Sequence, residues 1–329
     1  MENRAEKTMD IVCLGELLVD MFPAEIGRPL TEVSAFRPVP GGAPANAAVA
    51  AARLGARSAF IGKVGDDAFG HHLVDVLKRE GVDVRGMRFD DQARTTMNIM
   101  AQPDAHSYIC LFYRNPGADT LLRPDELDRS LLGGTRAFHF GSLSLTDEPS
   151  RSATLEAVRL ARAAGALISF DVNYRPTLWS SPAEARARVM EVVPHVNLLK
   201  VNDAELALLA GSDDLDAASQ VLLQYGPELC VVTLGPDGSY FRVAAGGERV
   251  PGFAVHTVDA TGCGDAFIAG LLWQLVAAGL WREHLTPDQL RRSLRYANAV
   301  GALTALTQGV IPSLPTATQV DKFLQQEQV

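Results

Sequence analysis

The chain has 329 residues, 47% of them hydrophobic and 21% charged, a balance that supports a large buried core and excludes a mostly disordered protein. Its formal net charge of −9 leaves no basic footprint for nucleic acid and disfavours anionic membrane surfaces. Four cysteines, at 13, 110, 230 and 263, lack metal-ligand spacing; Cys13, Cys110 and Cys230 lie in apolar strand-like runs and read as reduced core residues of a cytoplasmic protein.

Met1 to Asp10 is polar and mixed in charge, and the apolar stretch after it is interrupted by Glu16 and Asp20, so neither a signal peptide nor a membrane span is expected. Strand-like runs then alternate with helical ones. Ile11 to Leu14 precedes a helix over Pro44 to Leu54, Ser58 to Ile61 precedes Asp66 to Glu80, and Ala137 to Phe140 precedes Glu148 to Ala164. Leu167 to Phe170 leads to Pro182 to Val192, Val196 to Lys200 to Ala204 to Ala210, and Asp216 to Tyr225 to the strand Cys230 to Thr233. Such alternation predicts βαβ units and a mostly parallel sheet with helices on both faces. Punctuation agrees: Pro44 suits a first helical turn, Asp66 is placed to cap a helix whose Phe69, Leu73, Val76 and Leu77 share a face, and Gly81, Gly165 and Gly211 follow helix ends.

Two segments break the alternation, at about 17–38 and 93–116. The second reads as a β-hairpin, with Thr95, Met97 and Ile99 alternating before Pro103-Asp104-Ala105-His106, and Tyr108, Cys110 and Phe112 after it. Together they predict a small accessory sheet on one α/β domain spanning 1–329. The apolar run Ala266 to Leu280, which contains Gln274, is shorter than the ~18–20 residues of a span and reads as a core helix.

Directly before that helix stands Asp259-Ala260-Thr261-Gly262-Cys263-Gly264-Asp265. The first amides of a helix lack intrahelical partners and carry partial positive charge, so they receive an anion, and glycines allow close approach. Asp265 at the rim of such a pocket suits a base that takes a proton from a hydroxyl while the amides hold a phosphoryl group. The same residues also fit an acidic N-cap on a core helix. Absent are a Gly-x-x-x-x-Gly-Lys-Ser/Thr loop, a dinucleotide Gly-x-Gly-x-x-Gly, a His-Glu-x-x-His pair and a Gly-x-Ser-x-Gly elbow. His71-His72, without a third ligand at usable spacing, read as solvent-facing.

With Gly15 to Asp20, Gly41-Gly42-Ala43-Pro44-Ala45-Asn46, Ala59 to Asp67, Phe112 to Pro116, Ser169 to Arg175, Asn202-Asp203-Ala204-Glu205, Thr233 to Gly238 and Gly309 to Ser313, the chain resembles the ribokinase-like, or PfkB, carbohydrate kinases nearly end to end, and within them most resembles fructokinases. The resemblance implies a ribokinase-like α/β fold with a small β-sheet lid over the sugar, which in several members also forms a dimer surface; a homodimer through the lid is the corresponding expectation. It implies ATP-dependent phosphorylation of a sugar primary hydroxyl, D-fructose to fructose 6-phosphate, with Asp265 as base and the amides of Gly262, Cys263 and Gly264 as anion hole. The family pattern has a second threonine and an alanine where this chain has Ala260 and Cys263. Backbone amides make the hole, so a cysteine side chain need not remove it; Cys263 reads as a small filler, since neither exposure nor a lowered pKa is visible, with a redox switch left open by the helix start, which lowers thiol pKa values.

By the same resemblance Asp20, Gly41, Gly42 and Asn46 are sugar contacts. A carboxylate at 20 accepts bonds from neighbouring hydroxyls, and glycines let the backbone come close. Arg175 at a strand end, with Tyr113 and Arg114 at the foot of the hairpin, are candidates for phosphate or substrate oxygens. On the nucleotide side the resemblance implies Asn202, Glu205, Thr233, Gly235, Gly238 and Asn298, with Mg²⁺ near Glu205 through water and K⁺ near Asp259, Gly309 and Ser313. Asn202 and Glu205 also fit a helix capping box. Rival readings are a kinase of 2-keto-3-deoxygluconate or another sugar acid, because Arg114 and Arg175 suit a carboxylate, and an inactive sugar-binding sensor, against which Asp265, the glycines and Glu205 weigh.

Overall fold

The computed structural model describes residues 7–104, 107–277, 279 and 285–327. In chain order, β1 (Met9–Leu14) is followed by β2 (Leu18–Pro23), β3 (Phe36–Gly41), α1 (Ala43–Arg53), β4 (Ser58–Gly65), α2 (Ala68–Arg79), β5 (Asp83–Asp90), β6 (Met97–Asp104) and β7 (Ser107–Tyr113). Then come α3 (Arg129–Gly134), β8 (Thr135–Gly141), α4 (Ser150–Ala163), β9 (Leu167–Asp171), α5 (Pro182–Val192), β10 (Leu198–Asn202), α6 (Asp203–Ala210), α7 (Leu215–Leu223) and β11 (Leu229–Thr233). The chain closes with β12 (Gly238–Val243), β13 (Gly246–Pro251), α8 (Cys263–Ala277), α9 (Pro287–Thr304), α10 (Val310–Ser313) and α11 (Ala317–Gln326).

Nine strands form the main sheet in the order β13-β12-β11-β10-β9-β8-β1-β4-β5. All neighbours from β11 to β5 are parallel, and β12 and β13 add an antiparallel edge. Because side chains alternate across a strand, each strand feeds two cores. Ile11, Cys13, Leu198 and Val231 pack with α1, α8 and α9 on one face, whereas Val12, Leu14, Phe138, Phe140, Phe170 and Leu199 pack with α4 to α7 on the other. Phe140 and Phe170 stack with centroids 4.7 Å apart.

From β1 the chain winds to β4 and β5, then returns to β8 on the other side of β1 and continues to β11. That reversal opens a crevice at the carboxyl ends of the strands, where ligands of open α/β sheets bind. A second sheet, ordered β3-β2-β6-β7, stands apart from the first; β2 and β6 are parallel, and its other pairings are antiparallel. Its own core is small: Phe22, Val39 and Met100, with Cys110 packed against them.

Pro44 lies in the first turn of α1, and Gly81, Gly165 and Gly211 have positive φ after α2, α4 and α6, as the punctuation implies. Other expectations are corrected. Asp67, not Asp66, caps α2, accepting from the Gly70 amide at 2.9 Å, while Asp66 bonds His71 Nε2 at 2.7 Å. The helix thus starts later, at Ala68, and Phe69, although on the face of Leu73 and Leu77, stays 39% exposed at its edge. Cys110 belongs to the lid sheet and lines the cavity rather than the main core. The hairpin β12–β13 and the edge strand β5 went unread, and α8 begins three residues before Ala266. Ala105 and His106 of the expected turn, and Leu280 of the expected helix, lie outside the described residues.

Candidate active site

A cavity of about 880 Å³ lies between the lid sheet and the carboxyl edge of the main sheet. The lid contributes Leu18, Asp20, Asn98, Met100, Gln102, Cys110 and Phe112; the floor contributes Gly42, Ala43, Asn46, Asn173, Arg175, Lys200 and Asn202, and the segment from Thr257 to Asp265 closes it.

Two Asp–Asn pairs face this space. On the lid, Asn98 Nδ2 donates to Asp20 Oδ1 at 2.8 Å; on the floor, Asn46 Nδ2 donates to Asp265 Oδ2, also at 2.8 Å. Burial pushes the Asp265 carboxyl up to about 6, against the Asn46 bond, with Asp171 adding to the rise and Lys200 and Arg175 opposing it. Burial likewise raises Asp20 to about 6, opposed by Asn98 and Arg175. Both carboxyls therefore titrate near neutrality, the range suited to a group that takes up and releases a proton. A third acid, Glu16, is raised by burial to about 7; its Oε1 accepts from the Ala43 amide at 2.9 Å, and its Oε2 is buried without a partner.

The glycines are set by close approach. Gly42 has φ 109, and a side chain there would overlap the Glu16 carbonyl. Gly262 has φ 80, and a side chain there would overlap Val310. The turn it makes delivers Asp265 to the first turn of α8. The Ala266 amide makes a regular bond to the Gly262 carbonyl at 2.9 Å, while the Cys263 amide makes a longer one to Ala260 at 3.3 Å. The start of α8, where the positive end of the helix dipole lies, thus borders the cavity through Gly262, Gly264 and Asp265. Burial, Asp259 and Asp265 push the Cys263 thiol up to about 12, so it is a poor nucleophile and a filler.

Several expected contacts lie elsewhere. Arg114 is corrected from a substrate clamp to an internal strut. Its guanidinium pairs with Asp119 at 2.8 Å and donates to Thr146 Oγ1 at 2.7 Å and the Leu143 carbonyl at 2.9 Å. Tyr113 is 57% exposed on the outward face of β7, because alternation sends Cys110 and Phe112 inward. Gly41 packs against the Asp20 carboxyl. Asn298 donates to the Val250 and Pro251 carbonyls at 3.1 and 3.0 Å, tying α9 to β13. Gly238 sits tightly in the turn against Val250 and Gly252, whereas Gly235 borders open space and Thr233 lines the cavity.

Asn202 and Glu205 form a capping box: each bonds the other's amide at 2.8 Å, and Glu205 also accepts from the Tyr174 amide at 2.7 Å. With both oxygens so engaged, Glu205 fits a divalent cation held through water and not by direct ligation. Asp259 accepts from the Thr261 amide at 2.9 Å and the Gly309 amide at 3.1 Å, and Ser313 Oγ bonds the Val310 carbonyl at 2.7 Å. These bonds join the loops before α8 and after α9, and backbone carbonyls there suit a monovalent cation. Among the described residues no group of three or more His, Cys, Asp or Glu side chains is arranged to hold a metal ion.

Sequence reasoning passed over Glu16, Asn98 and Lys200 as site residues. Lys200 carried a signal: a charge inside the apolar run Leu198-Leu199-Lys200-Val201, in register with Asp171 at the end of β9.

A phosphate-receptive helix start, a buried acid beside it and a lidded polar cavity define a phosphotransferase for a hydroxylated small molecule. Residues 8–317 match the pattern described as pfkB family carbohydrate kinase, and the chain belongs to that family. A probable fructokinase-2 of Arabidopsis thaliana is 44% identical over 315 residues, 95% of each chain. Among solved structures, a fructokinase with bound ATP from Xylella fastidiosa superposes with TM-score 0.88 at 33% identity, covering 97% of this chain and 99% of that one. A fructokinase from Vibrio cholerae O395, in a form with fructose, ADP and calcium ion bound, superposes with TM-score 0.87 at 34% identity, covering 96% and 99%. Among the described residues no helix is long and apolar enough to cross a membrane.

Proposed function

We propose that this protein is an ATP-dependent fructokinase. The observation that carries the reading is the placement of Asp265, buried at the start of α8, in one cavity with the Asp20–Asn98 pair of the lid. Fructose binds between lid and floor. Asp20 and Asn46 take its hydroxyls, with the backbone of Gly42 close by and Gly41 packed behind the Asp20 carboxyl.

Asp265 accepts the proton of the primary hydroxyl as that oxygen attacks the γ-phosphorus of ATP; the bond from phosphorus to the β–γ bridging oxygen breaks, leaving ADP and fructose 6-phosphate. The amides from Gly262 to Asp265 receive the phosphoryl oxygens, that of Cys263 exchanging its long bond to the Ala260 carbonyl for one of them. Asn202, Thr233, Gly235 and the Thr257–Gly264 segment are the nucleotide side. Glu205 would hold Mg²⁺ through water, which would neutralise charge at the phosphates, and Asp259, Gly309 and Ser313 would flank a K⁺ ion that would support the anion hole. The lid excludes water, which otherwise competes as acceptor. Four free cysteines suit a reducing compartment such as the cytoplasm.

Commitment of Arg114 to Asp119 weakens the sugar-acid reading, because a substrate carboxylate would meet Asp20, Glu16 and Asp265, with Lys200 already paired to Asp171 and Arg175 the one guanidinium among the described lining residues. Initial rates of ADP release over a panel of sugars and sugar acids test the assignment, with fructose expected to give the highest kcat/KM. Preference for 2-keto-3-deoxygluconate would reverse it, and no ADP with every sugar would favour the sensor.

A further inference from the structure

Asp171 ends β9, and Lys200 faces it in direct register from the middle of the neighbouring parallel strand β10. Their side chains are only 7% and 5% exposed, and Lys200 Nζ lies 3.0 Å from each Asp171 oxygen. A buried ion pair at such a position is commonly no more stable than an apolar one, so its presence at the cavity floor asks for another reason. Its position supplies one: a methyl group added at Gly264 would lie 3.2 Å from the ammonium, which therefore abuts the first turn of α8 one residue from Asp265.

We infer that the Lys200–Asp171 pair is a positioning device for the base, a cation and an anion set together against α8 so that their opposed fields hold Asp265 ready to accept a proton at neutral pH. The inference rests on the reading of Asp265 as base. The groups facing Asp265 are Asn46 from α1, Asp171 from β9, Arg175 beyond it, Lys200 from β10, Asp20 from the lid and Cys263 in its own turn. Asp171 and Lys200 act on it with opposite sign. Burial opposes the charge on Lys200, yet Asp171, Glu205 and Asp265 outweigh it and hold the ammonium above the ordinary lysine value. Removing either partner would leave the field of the other on Asp265 uncompensated.

The test is the acid limb of the pH profile of kcat/KM for fructose, which reports ionisation in the free enzyme. In Lys200→Met the limb should move up by about one pH unit, lowering the rate about fivefold at pH 6 and hardly at all above pH 8. In Asp171→Asn it should move down by about one unit, and the double variant should return to within about half a unit of wild type. Limbs that coincide in all four proteins, with any loss of rate independent of pH, would make the pair structural and overturn the inference. If Lys200→Met fails to fold because it strands a buried carboxylate, Asp171→Asn and the double variant still decide. Asp265→Asn separates the two readings: full turnover in that variant sinks the base itself, whereas its inactivity with unmoved limbs in the pair variants sinks only the inference.

Discussion

The two walls of the cavity are built differently. The floor is the carboxyl edge of a nine-stranded sheet with a large core on each face, and its charged groups are locked by short bonds: Lys200 on Asp171, Glu205 on two amides, Asp265 on Asn46. The lid is four strands over a core of Phe22, Val39 and Met100, and its edge strand leaves Ile109 50% and Leu111 45% exposed. Few apolar contacts hold it, which places it at the low-stability end of the molecule, where moving elements belong. In the proposed mechanism the bond-making groups stand on the rigid wall and the sugar-selecting carboxylate on the yielding one, an arrangement that would admit substrate without loosening the catalytic geometry.

The largest effect expected breaks the floor chemically. Asp265→Asn should lower kcat by about a thousandfold or more with fructose and ATP binding retained, measured by coupled ADP release and calorimetry. Near-normal turnover would remove the floor's assigned role.

Packing sharpens the contrast next. Phe170→Ala, which empties a site stacked on Phe140 in the main core, should cost about 3–5 kcal/mol in denaturant unfolding. Phe22→Ala in the lid core should cost less than about 2 kcal/mol globally but raise the KM for fructose and the rate of ATP hydrolysis without sugar. Equal losses of stability would show that lid and floor unfold as one unit.

Recognition comes third. Asp20→Asn should raise the KM for fructose about 30-fold, or about 2 kcal/mol, and leave the KM for ATP unchanged. A matching rise for ATP would place Asp20 on the wrong side of the cavity.

The smallest effect concerns the stability cost of the site. Burial holds the folded Asp265 carboxyl at about 6, above the ordinary aspartate value, so the folded state binds the proton more tightly than the unfolded chain. Its contribution is fully present below about pH 4 and lost as pH rises through 6. Asp265→Asn should therefore be more stable than wild type by about 1–2 kcal/mol at pH 8 and not at pH 4, read from urea midpoints. A gain independent of pH would assign the change to packing.

Local sequence set the alternation of strands and helices, their caps at Asn202 and Gly211, and the meeting of glycines and an acid at Gly262 to Asp265, because periodicity, capping and turn geometry act over a few residues. It could not decide partners that depend on register and crossover. Whether Arg114 turned to a substrate or to Asp119, whether Tyr113 or Phe112 faced the cavity, and that Lys200 and Asp171 meet beneath α8 followed only from how β7 is paired and how β9 and β10 lie side by side. The physical reason is range: a side chain's direction is fixed by its own strand, but what it touches is fixed by a neighbour that in Lys200 and Asp171 lies 29 residues away.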